Sequence, residues 1–378
     1  MKIQKILQKL ISFESVSLKE NISIINYISE HFKLLGIESK IIRGEKDRAN
    51  FYAKIGPNNS DGVMFSGHTD VVPVEGQKWT SNPFDLKKIG TKLYGRGTAD
   101  MKGFIAVTLN LLPSMVNLNL KKPIHFMFSY DEEIGCMGIQ KAVPFLKSLN
   151  FQPSKCIVGE PTNMEVINKH KGKKNFFVSF HGVEAHSSLI ESGVNAINYA
   201  AKFINYLNKK QKELIKKKNK EFFPPYSSIN VGIISGGIAL NIIPKNCKIE
   251  FEIRNLPSDD IKNLIKEIKA FLFEKLEKKM KEKNKKCFIN FEMTNNFPGL
   301  NTNKNKEIVN LCLNSNNTNT LGSVSFGTEA GIFDKLSFQT IVCGPGNIEQ
   351  AHKPDEFIEI DQLNKCEVFL KNIIKSCC

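Results

Sequence analysis

Five side chains of the kinds that bind divalent metal ions follow apolar segments or lie in glycine-rich turns, far apart in this 378-residue chain. They are two histidines and three carboxylates, namely His68, Asp100, Glu133, Glu160 and His352. Imidazole nitrogen and carboxylate oxygen are ligands of Zn²⁺, and a catalytic zinc ion takes three protein ligands and a water molecule. Because a carboxylate can also bridge two ions, the set predicts a two-metal site that activates water, as in a metallohydrolase.

Two further acidic residues lie beside these ligands. Asp70 follows His68 by two positions, and a metal-bound imidazole generally donates its other ring nitrogen to a carboxylate or carbonyl. We therefore expect Asp70 to orient His68. Glu132 directly precedes Glu133 at the end of an apolar segment, where adjacent side chains point in opposite directions. Glu133 is then expected to bind metal while Glu132 faces the water.

Each of these residues, taken alone, also fits an ordinary structural role. Asp100 precedes a helical segment and could be its N-cap, for which Asp is among the preferred residues. His68 could belong to a surface turn, and the Glu132 and Glu133 pair to an acidic loop. An isolated histidine in a loop such as that of His352 is more often solvated than metal-bound. Their joint occurrence at the ends of several strands favours the metal site.

The segments that must position these residues alternate between helical and buried-strand patterns. Ile22 to Leu35 has apolar residues on one helical face and stops at Gly36, a usual helix terminator. Short apolar runs at Val63 to Phe65, Ile124 to Phe128 and Cys156 to Val158 are typical of strands covered on both faces. Loops beyond the carboxyl ends of such strands form binding crevices. We predict an α/β domain in which helices flank a mixed, mostly parallel sheet.

The pattern changes from about Asn175, where strand and helix signals follow in the order βαββαβ up to Met293. That order is typical of α+β ferredoxin-like units, and the segment contains none of the five candidate ligands. A chain of this length also exceeds what one hydrophobic core usually holds. We therefore predict a second domain at residues 173–290, inserted into a first domain formed by residues 1–172 and 291–378.

The composition fits a reduced, water-soluble protein. The nine cysteines are odd in number, scattered and never in a Cys-x-x-Cys pair, as expected for thiols of the cytoplasm. Residues 1–13 have apolar residues at helical spacing, unlike the unbroken apolar core of a signal peptide. No apolar run approaches the length needed to span a bilayer. A cytoplasmic location without membrane contact is the expectation.

The formal charge of +15 raises the question of a nucleic-acid partner. Much of the excess lies at Lys209 to Lys220 and Lys275 to Lys286, which both follow amphipathic helical patterns with few aromatic residues. Such patterns are more typical of solvated helix faces, so we expect no nucleic-acid partner. A non-catalytic scaffold that binds a partner or nucleic acid through these helices is the alternative left open.

Several segments carry a resemblance to a known family. They are Ser-Gly-His-Thr-Asp-Val-Val-Pro from residue 66, Leu-Tyr-Gly-Arg-Gly-Thr-Ala-Asp-Met-Lys-Gly from 93, Asp-Glu-Glu from 131, Gly-Glu-Pro-Thr from 159 and Gly-Val-Glu-Ala-His-Ser-Ser from 182. With these the chain resembles the dizinc aminoacylase and carboxypeptidase family of metallohydrolases over nearly its whole length. Residues 326–331 and 343–356 resemble the branch that deacetylates an N-acetylated amino acid. Related desuccinylases, other aminoacylases and dipeptidases stay open as alternatives.

The resemblance implies roles for the candidate ligands. Two zinc ions are expected, for which cobalt or manganese can substitute in mixed histidine and carboxylate sites. His68 and Glu160 would bind one ion. Glu133 and His352 would bind the other, with Asp100 as the bridge. The same resemblance makes Glu132 the general base and implies a cis peptide bond after Asp100.

The resemblance also implies roles for the inserted domain as a lid and dimerisation domain. His186 would reach the active site of the partner subunit of a homodimer and stabilise the oxyanion. Asn241 and Arg254 would bind the carboxylate of a small N-acylated amino acid. The opposite wall would be lined by two residues, Gly327 and Thr328. Glu329 either faces the ammonium group of the substrate or is an ordinary turn acid.

Overall fold

A nine-stranded sheet lies at the centre of the larger of two structural units in the computed structural model, which describes residues 2–59 and 62–378. The larger unit comprises Met1–Lys169, Leu300–Ser323 and Thr328–Cys378. The smaller unit comprises His170–Gly299 and Val324–Gly327. The sequence predicts an inserted lid domain at residues 173–290. Both these limits and the role as a lid remain a proposal.

The strands, in chain order, are β1 Ser39–Arg43, β2 Ala49–Ile55, β3 Val63–His68, β4 Lys87–Ile89, β5 Lys92–Tyr94, β6 Ile124–Ser129, β7 Lys155–Val158, β8 Val166–His170, β9 Gly172–His181, β10 Ser228–Gly236, β11 Asn246–Asn255, β12 Phe288–Phe297, β13 Leu300–Asn301, β14 Leu321–Val324, β15 Gln339–Val342 and β16 Phe357–Glu359. The α-helices are α1 Lys2–Ile11, α2 Ile22–Lys33, α3 Gly103–Met115, α4 Met137–Ser148, α5 Ala196–Leu214, α6 Ile261–Ala270, α7 Lys278–Lys283, α8 Glu307–Ser315, α9 Ala330–Lys335 and α10 Ile360–Lys375. Short π-helical turns at Thr98–Lys102 and Phe271–Glu277 and 3₁₀ turns at Ile190–Ser192 and Ile348–Gln350 complete the set for the described residues.

The central sheet has the strand order β1-β2-β6-β3-β7-β15-β8-β13, and β14 pairs with β8. The four middle strands, β6, β3, β7 and β15, run parallel to one another. Antiparallel pairing occurs between β1 and β2, between β2 and β6, and between β15 and β8. The predicted α/β fold with a mixed, mostly parallel sheet flanked by helices is confirmed. The carboxyl ends of the four parallel strands meet at one edge.

The apolar runs that predicted strands in the sequence are the buried centre of this sheet. Every residue of β3 and of β6 is buried. The rings of Phe65 and Phe126 lie 6.0 Å apart within the core, and the ring of Phe32 from α2 lies 5.0 Å from that of Phe126. Helix α3 packs against α1 and α10. This packing fixes the strand ends that carry the candidate ligands.

The smaller unit contains the predicted βαββαβ order as β9, α5, β10, β11, α6 with α7, and β12. Its four strands are antiparallel in the order β10-β11-β9-β12. Alternate residues of β9, such as Phe176, Val178 and Phe180, are buried in a second hydrophobic core. The side chains of Asn195 and Asp260 accept hydrogen bonds from backbone N–H groups in the first turns of α5 and α6. Helix N-caps and the alternating burial of strand residues, which are both local features of the sequence, thus explain the helices and strands of this unit.

One local prediction differs from the structure. The helical pattern of Lys209 to Lys220 is only partly helical, because α5 ends at Leu214, which lies in the second core. The described cysteines form no disulfide. Among the described helices, none combines the length and apolar character that crossing a membrane requires.

Candidate metal centre

The five candidate ligands converge at the carboxyl edge of the central sheet. His68 ends β3, while Glu133 and Glu160 lie in the loops that follow β6 and β7. Asp100 lies in the turn that precedes α3, and His352 lies in the loop after β15. All five belong to the larger unit. Residues nearly 300 positions apart therefore meet because parallel neighbouring strands end at the same edge.

Asp100 lies between the two histidines. Its Oδ1 is 3.1 Å from His68 Nε2, and its Oδ2 is 3.5 Å from His352 Nε2. His68 Nε2 also lies 3.8 Å from Glu160 Oε1, while His352 Nε2 lies 2.9 Å from Glu133 Oε2. The two oxygens of one carboxylate thus face two separate groups of donors, which is the arrangement of a bridging ligand. The peptide bond between Asp100 and Met101 is cis, as the resemblance implies.

His68 is oriented by the segment that follows it. Its Nδ1 lies 2.8 Å from the backbone oxygen of Asp70, which can only accept, so Nδ1 carries the hydrogen. The carboxylate of Asp70 is farther from Nδ1, at 3.5 Å. The orienting contact expected of Asp70 is therefore made mainly by its backbone carbonyl. Nε2 is then the ring nitrogen that faces Asp100 and Glu160, the side from which His68 would bind a metal ion.

The carboxylate of Asp70 has a second set of partners. Its Oδ1 accepts a hydrogen bond from the backbone N–H of Glu132 at 3.0 Å, and Oδ2 accepts from that of Glu133 at 3.3 Å. The hydroxyl of Ser17 also donates to Oδ2, at 2.7 Å. Asp70 therefore holds the acidic loop after β6 against the His68 strand.

Glu132 and Glu133 project toward different donors. Ligand atoms of His68, Glu132 and Glu160 lie within 4.8 Å of one another, and those of His68, Asp100 and Glu133 form a second such group. The thiol of Cys136 donates to Glu132 Oε1 at 3.4 Å. Both carboxylates therefore lie near His68, and they differ in their other neighbour, which is Glu160 for Glu132 and Asp100 for Glu133. The role of Glu132 toward a water molecule remains a prediction.

The acidic side chains of the site are buried together, which opposes their ionisation. Burial, with the nearby Asp100 carboxylate, raises the pKa of Glu133 to about 7, and burial also raises that of Glu160 to about 7. Burial likewise raises the pKa of Glu132, with Glu160 as a further cause. Although burial opposes ionisation of Asp100, hydrogen bonds from His352 and His68 hold its pKa below the ordinary value. A cluster of buried acids that repel one another fits a site for divalent cations.

The candidate substrate residues of the inserted segment lie in the smaller unit. His186 is exposed, and its Nδ1 is 2.8 Å from the hydroxyl oxygen of Ser188. Asn241 is exposed, and Arg254 is half-buried with its Nε donating to Glu252 Oε1 at 2.9 Å. Their roles toward a substrate or a partner subunit remain predictions.

The remaining three candidates lie directly before α9, and Glu329 is its N-cap residue. Gly327 packs so closely that an added Cβ would come within 2.1 Å of the Phe297 ring. Thr328 is buried, and its hydroxyl accepts a hydrogen bond from the N–H of Ala330. Glu329 is 1% exposed and bonded to the hydroxyl of Ser129. Both alternatives for Glu329, contact with a substrate ammonium group and an ordinary turn acid, remain predictions.

Two buried ion pairs behind the site were not predicted from the sequence. Arg48 pairs with Asp131, the residue before Glu132, and Asp131 Oδ1 also accepts from the N–H of Leu18. Arg96 pairs with Glu356, which lies in the same loop as His352. The only hint in the sequence was position. Asp131 and Glu356 lie within a few residues of the candidate ligands Glu133 and His352, but neither position identifies the distant partner.

Comparison with known proteins gives matches over most of the chain. The profile of the peptidase family M20/M25/M40 matches residues 64–376. The acetylornithine deacetylase of Buchnera aphidicola subsp. Acyrthosiphon pisum (strain Tuc7) is 32% identical over 369 residues, which cover 95% of this chain and 92% of that protein. The acetylornithine deacetylase of Pasteurella multocida (strain Pm70) is 31% identical over 370 residues, with the same coverage of 95% and 92%.

Solved structures share the fold. A tripeptidase from Staphylococcus aureus subsp. aureus mu50 superposes with a TM-score of 0.77 at 20% identity and covers 100% of this chain and 98% of its own. A dinuclear metal-binding peptidase of the M20 family from Bacillus subtilis superposes with a TM-score of 0.71 at 14% identity, covering 98% and 96%.

Proposed function

Because this chain belongs to the peptidase family M20/M25/M40 and is a metal-dependent hydrolase, we propose that it hydrolyses the amide of N2-acetyl-L-ornithine. The products are L-ornithine and acetate, and the reaction is a step of arginine biosynthesis. The observation that carries the proposal is the convergence of five candidate metal-binding side chains in a chain 32% identical to an acetylornithine deacetylase.

The donor set supports a pair of zinc ions, with cobalt or manganese as substitutes. His68 and Glu160 would hold one ion, Glu133 and His352 would hold the other, and Asp100 would bridge them. Bound ions of this kind supply a lowered pKa for water and polarise a carbonyl oxygen. The dinuclear peptidase of the same family supports the number of ions.

Glu132 would act as the general base. Its carboxylate lies beside both His68 and Glu160, and it would take the proton of the attacking water and deliver it to the leaving amine. Asp70 would keep this base in register with the ligands, because it binds the backbone N–H of Glu132 and carries the carbonyl that orients His68.

The smaller unit would supply the substrate contacts. Arg254 suits a substrate carboxylate because its guanidinium can form paired hydrogen bonds, and Asn241 would assist it. His186 would come from the partner subunit of a homodimer and stabilise the oxyanion, a kind of contact typically worth about 2.7–4 kcal/mol. Gly327 and Thr328 would line the opposite wall. The resemblance of the segments that carry these residues supports these roles.

Desuccinylation of succinyl-diaminopimelate is the nearest alternative reaction. That branch of the family normally has an arginine-containing segment after Gly-Glu-Pro, where this chain has His170, Lys171, Gly172, Lys173 and Lys174. Other aminoacylase and dipeptidase activities share the same metal chemistry. The substrate panel therefore includes all of these classes.

The test is a substrate panel with the metal-stripped protein reloaded with Zn²⁺ or Co²⁺. N2-acetyl-L-ornithine, N-succinyl-diaminopimelate, other N-acetyl amino acids, a dipeptide and a tripeptide are compared by release of free amine. We expect the highest kcat/KM for N2-acetyl-L-ornithine, with the Glu132→Gln variant as the inactive control. Faster turnover of the succinyl compound or of peptides would assign another branch. A metal-loaded protein that cleaves none of them would contradict the hydrolase mechanism.

A further inference from the structure

One buried carboxylate outside the ligand set accepts hydrogen bonds from the turn that contains Asp100. Glu356 is 1% exposed, and its Oε1 accepts from the backbone N–H groups of Ala99 and Asp100, at 2.9 and 3.1 Å. Its Oε2 accepts from the N–H of Gly97 at 2.9 Å and from Arg96 Nη1 at 2.8 Å. Four donors from a five-residue segment thus converge on one side chain. The turn that presents the candidate bridging ligand is folded around it.

Glu356 also belongs to the loop that presents the other end of the site, because it follows His352 by four residues. Arg96 extends the connection, since its Nη1 donates to the backbone oxygen of Lys353 at 3.2 Å. Its Nη2 donates to Gln77 Oε1 at 2.6 Å, and Gln77 Nε2 in turn donates to the backbone oxygen of His352 at 2.8 Å. One continuous network therefore reaches the backbones of both candidate ligands.

His352 depends on such backbone contacts more than the other ligands do. Its side chain is 55% exposed, so packing does not hold it, whereas those of His68 and Asp100 are 1% and 7% exposed. Its backbone has φ of 64°, in the left-handed region that residues other than glycine seldom adopt. Loss of the contacts at its carbonyl would let this loop relax away from the site.

We propose that Glu356, paired with Arg96, is a positioning residue that presents Asp100 and His352 together to one metal ion. Groups that orient metal ligands from behind typically change metal affinity about 10–100-fold when they are replaced. Asp100 and His352 would both hold this ion, whereas only Asp100 of the two would hold the other, so the ion assigned to Glu133 and His352 should lose more affinity than the ion assigned to His68 and Glu160. The proposal rests on the ligand assignment of the proposed function but not on the substrate.

The test is a metal titration of the full-length, metal-stripped protein with Zn²⁺ by calorimetry and with Co²⁺ by visible absorption. Glu356→Gln keeps the side-chain volume while replacing one acceptor oxygen with a donor. We expect the wild type to bind two equivalents of metal. In Glu356→Gln, the affinity for one ion should fall about 10–100-fold relative to the wild type, while the affinity for the other ion changes less. His352→Ala provides the reference for weakening that ion. Glu359→Gln, a nearby acid with a more exposed ion pair to Lys92, should bind both ions normally.

A second variant covers the outcome in which Glu356→Gln does not fold, since breaking a buried pair leaves an uncompensated charge. Gln77→Ala removes the donor to the His352 carbonyl without replacing either member of the Arg96–Glu356 pair. It should weaken the same ion by a smaller factor, while the exposed neighbour Lys78→Ala should have no effect. Circular dichroism in chelator establishes that each variant is folded before titration.

Two outcomes would overturn the proposal. In one, Glu356→Gln is folded and binds both ions as the wild type does. Where Glu356→Gln is unfolded, the same result for Gln77→Ala counts instead. In the other, both ions weaken equally and in proportion to a lower melting temperature in chelator, which would indicate a general structural role. Failure of the proposed function is seen separately, because it requires wild-type protein that binds two ions but does not deacetylate N2-acetyl-L-ornithine.

Discussion

The backbone N–H of Glu132 donates a hydrogen bond of 3.0 Å to Asp70 Oδ1, so the proposed base is tied directly to the residue that orients His68. The same carboxylate accepts from the N–H of Glu133 and from the hydroxyl of Ser17. Base and ligands from two neighbouring strands are therefore fixed relative to each other by one buried side chain. A change at Asp70 should affect proton transfer and metal binding together.

Replacement of Asp70 by Asn tests this coupling. The amide keeps one acceptor oxygen but places an NH₂ group where the second oxygen accepts from Glu133 and Ser17. We expect kcat/KM for N2-acetyl-L-ornithine and metal affinity to fall about 10–100-fold each, measured by steady-state kinetics and calorimetry. The exposed Asp85→Asn is the control. Wild-type kinetics and metal binding in Asp70→Asn would show that the network is dispensable.

Replacement of Glu132 by Gln should separate catalysis from metal binding. The variant keeps the shape of the side chain but cannot accept the proton of water, so kcat should fall about 10²–10⁴-fold. The metal content, measured by atomic emission after gel filtration, should remain at two equivalents because the five ligands are intact. Glu349→Gln, at an exposed position, serves as the matched control. Loss of an ion in the Glu132 variant would instead identify Glu132 as a ligand.

The sequence was most informative where apolar runs and chemistry coincide. Strands β3, β6 and β7 could be predicted because buried strands have continuous apolar residues. The convergence of His68, Glu133 and Glu160 then follows from the common edge at which parallel strands end. The βαββαβ order of the smaller unit was predictable for a related reason, since alternation and helical spacing are local signals.

Contacts between distant segments left no comparable signal. Arg96 and Glu356 are separated by 260 positions, and Ser129 and Glu329 by 200, so each pairing is decided by tertiary packing rather than by neighbouring residues. Helix α4 was also missed, because Pro144 lies inside it and interrupts the helical pattern. The positions of candidate ligands could thus be predicted, whereas the groups that support them required the structure.

The stability of the metal-free protein should depend on pH through Glu329. Burial raises the pKa of this carboxyl from 4.5 to about 8. Between these pH values the folded state keeps a proton that the unfolded state releases. The contribution of Glu329 to the free energy of unfolding is therefore full below pH 4.5 and is lost as the pH rises through about 8. The expected loss is at most about 1.4 kcal/mol per pH unit in that window.

Glu329→Gln tests this effect because glutamine does not titrate. Urea unfolding in chelator at about pH 6 and about pH 8 should show a smaller loss of free energy of unfolding in the variant than in the wild type. Glu38→Gln, an exposed acid, should retain the wild-type dependence. An unchanged slope in Glu329→Gln would assign the pH dependence to the other buried acids of the site.

Replacement of Arg254 by Lys should weaken substrate binding more than turnover. The Nε of Arg254 is bonded to Glu252, which leaves its terminal nitrogens for a substrate carboxylate, whereas lysine cannot form paired bonds. We expect KM for N2-acetyl-L-ornithine to rise about 10–100-fold with a smaller change in kcat, in line with loss of a charged hydrogen bond. Lys248→Arg on the same strand is the control. A fall in kcat with an unchanged KM would indicate that Arg254 acts in catalysis rather than in substrate binding.

The role proposed for His186 in a partner subunit can be tested by mixing two inactive variants. His186→Ala should lower kcat about 10²–10³-fold, the usual effect of removing one oxyanion donor, while leaving the metal content unchanged. In a mixed dimer of His186→Ala with Glu132→Gln, the site that retains Glu132 receives an intact His186 from its partner. Random exchange should therefore restore about a quarter of the wild-type activity, since half of the dimers are mixed and each has one complete site.

A matched control distinguishes this recovery from an effect of mixing itself. His68→Ala and Glu132→Gln both damage the site of their own subunit, so their mixed dimer contains no complete site and should stay inactive. Differently tagged subunits verify that mixed dimers form. If mixed dimers of His186→Ala and Glu132→Gln also remain inactive, His186 acts on the metal site of its own chain, because only then are both sites of the mixed dimer defective.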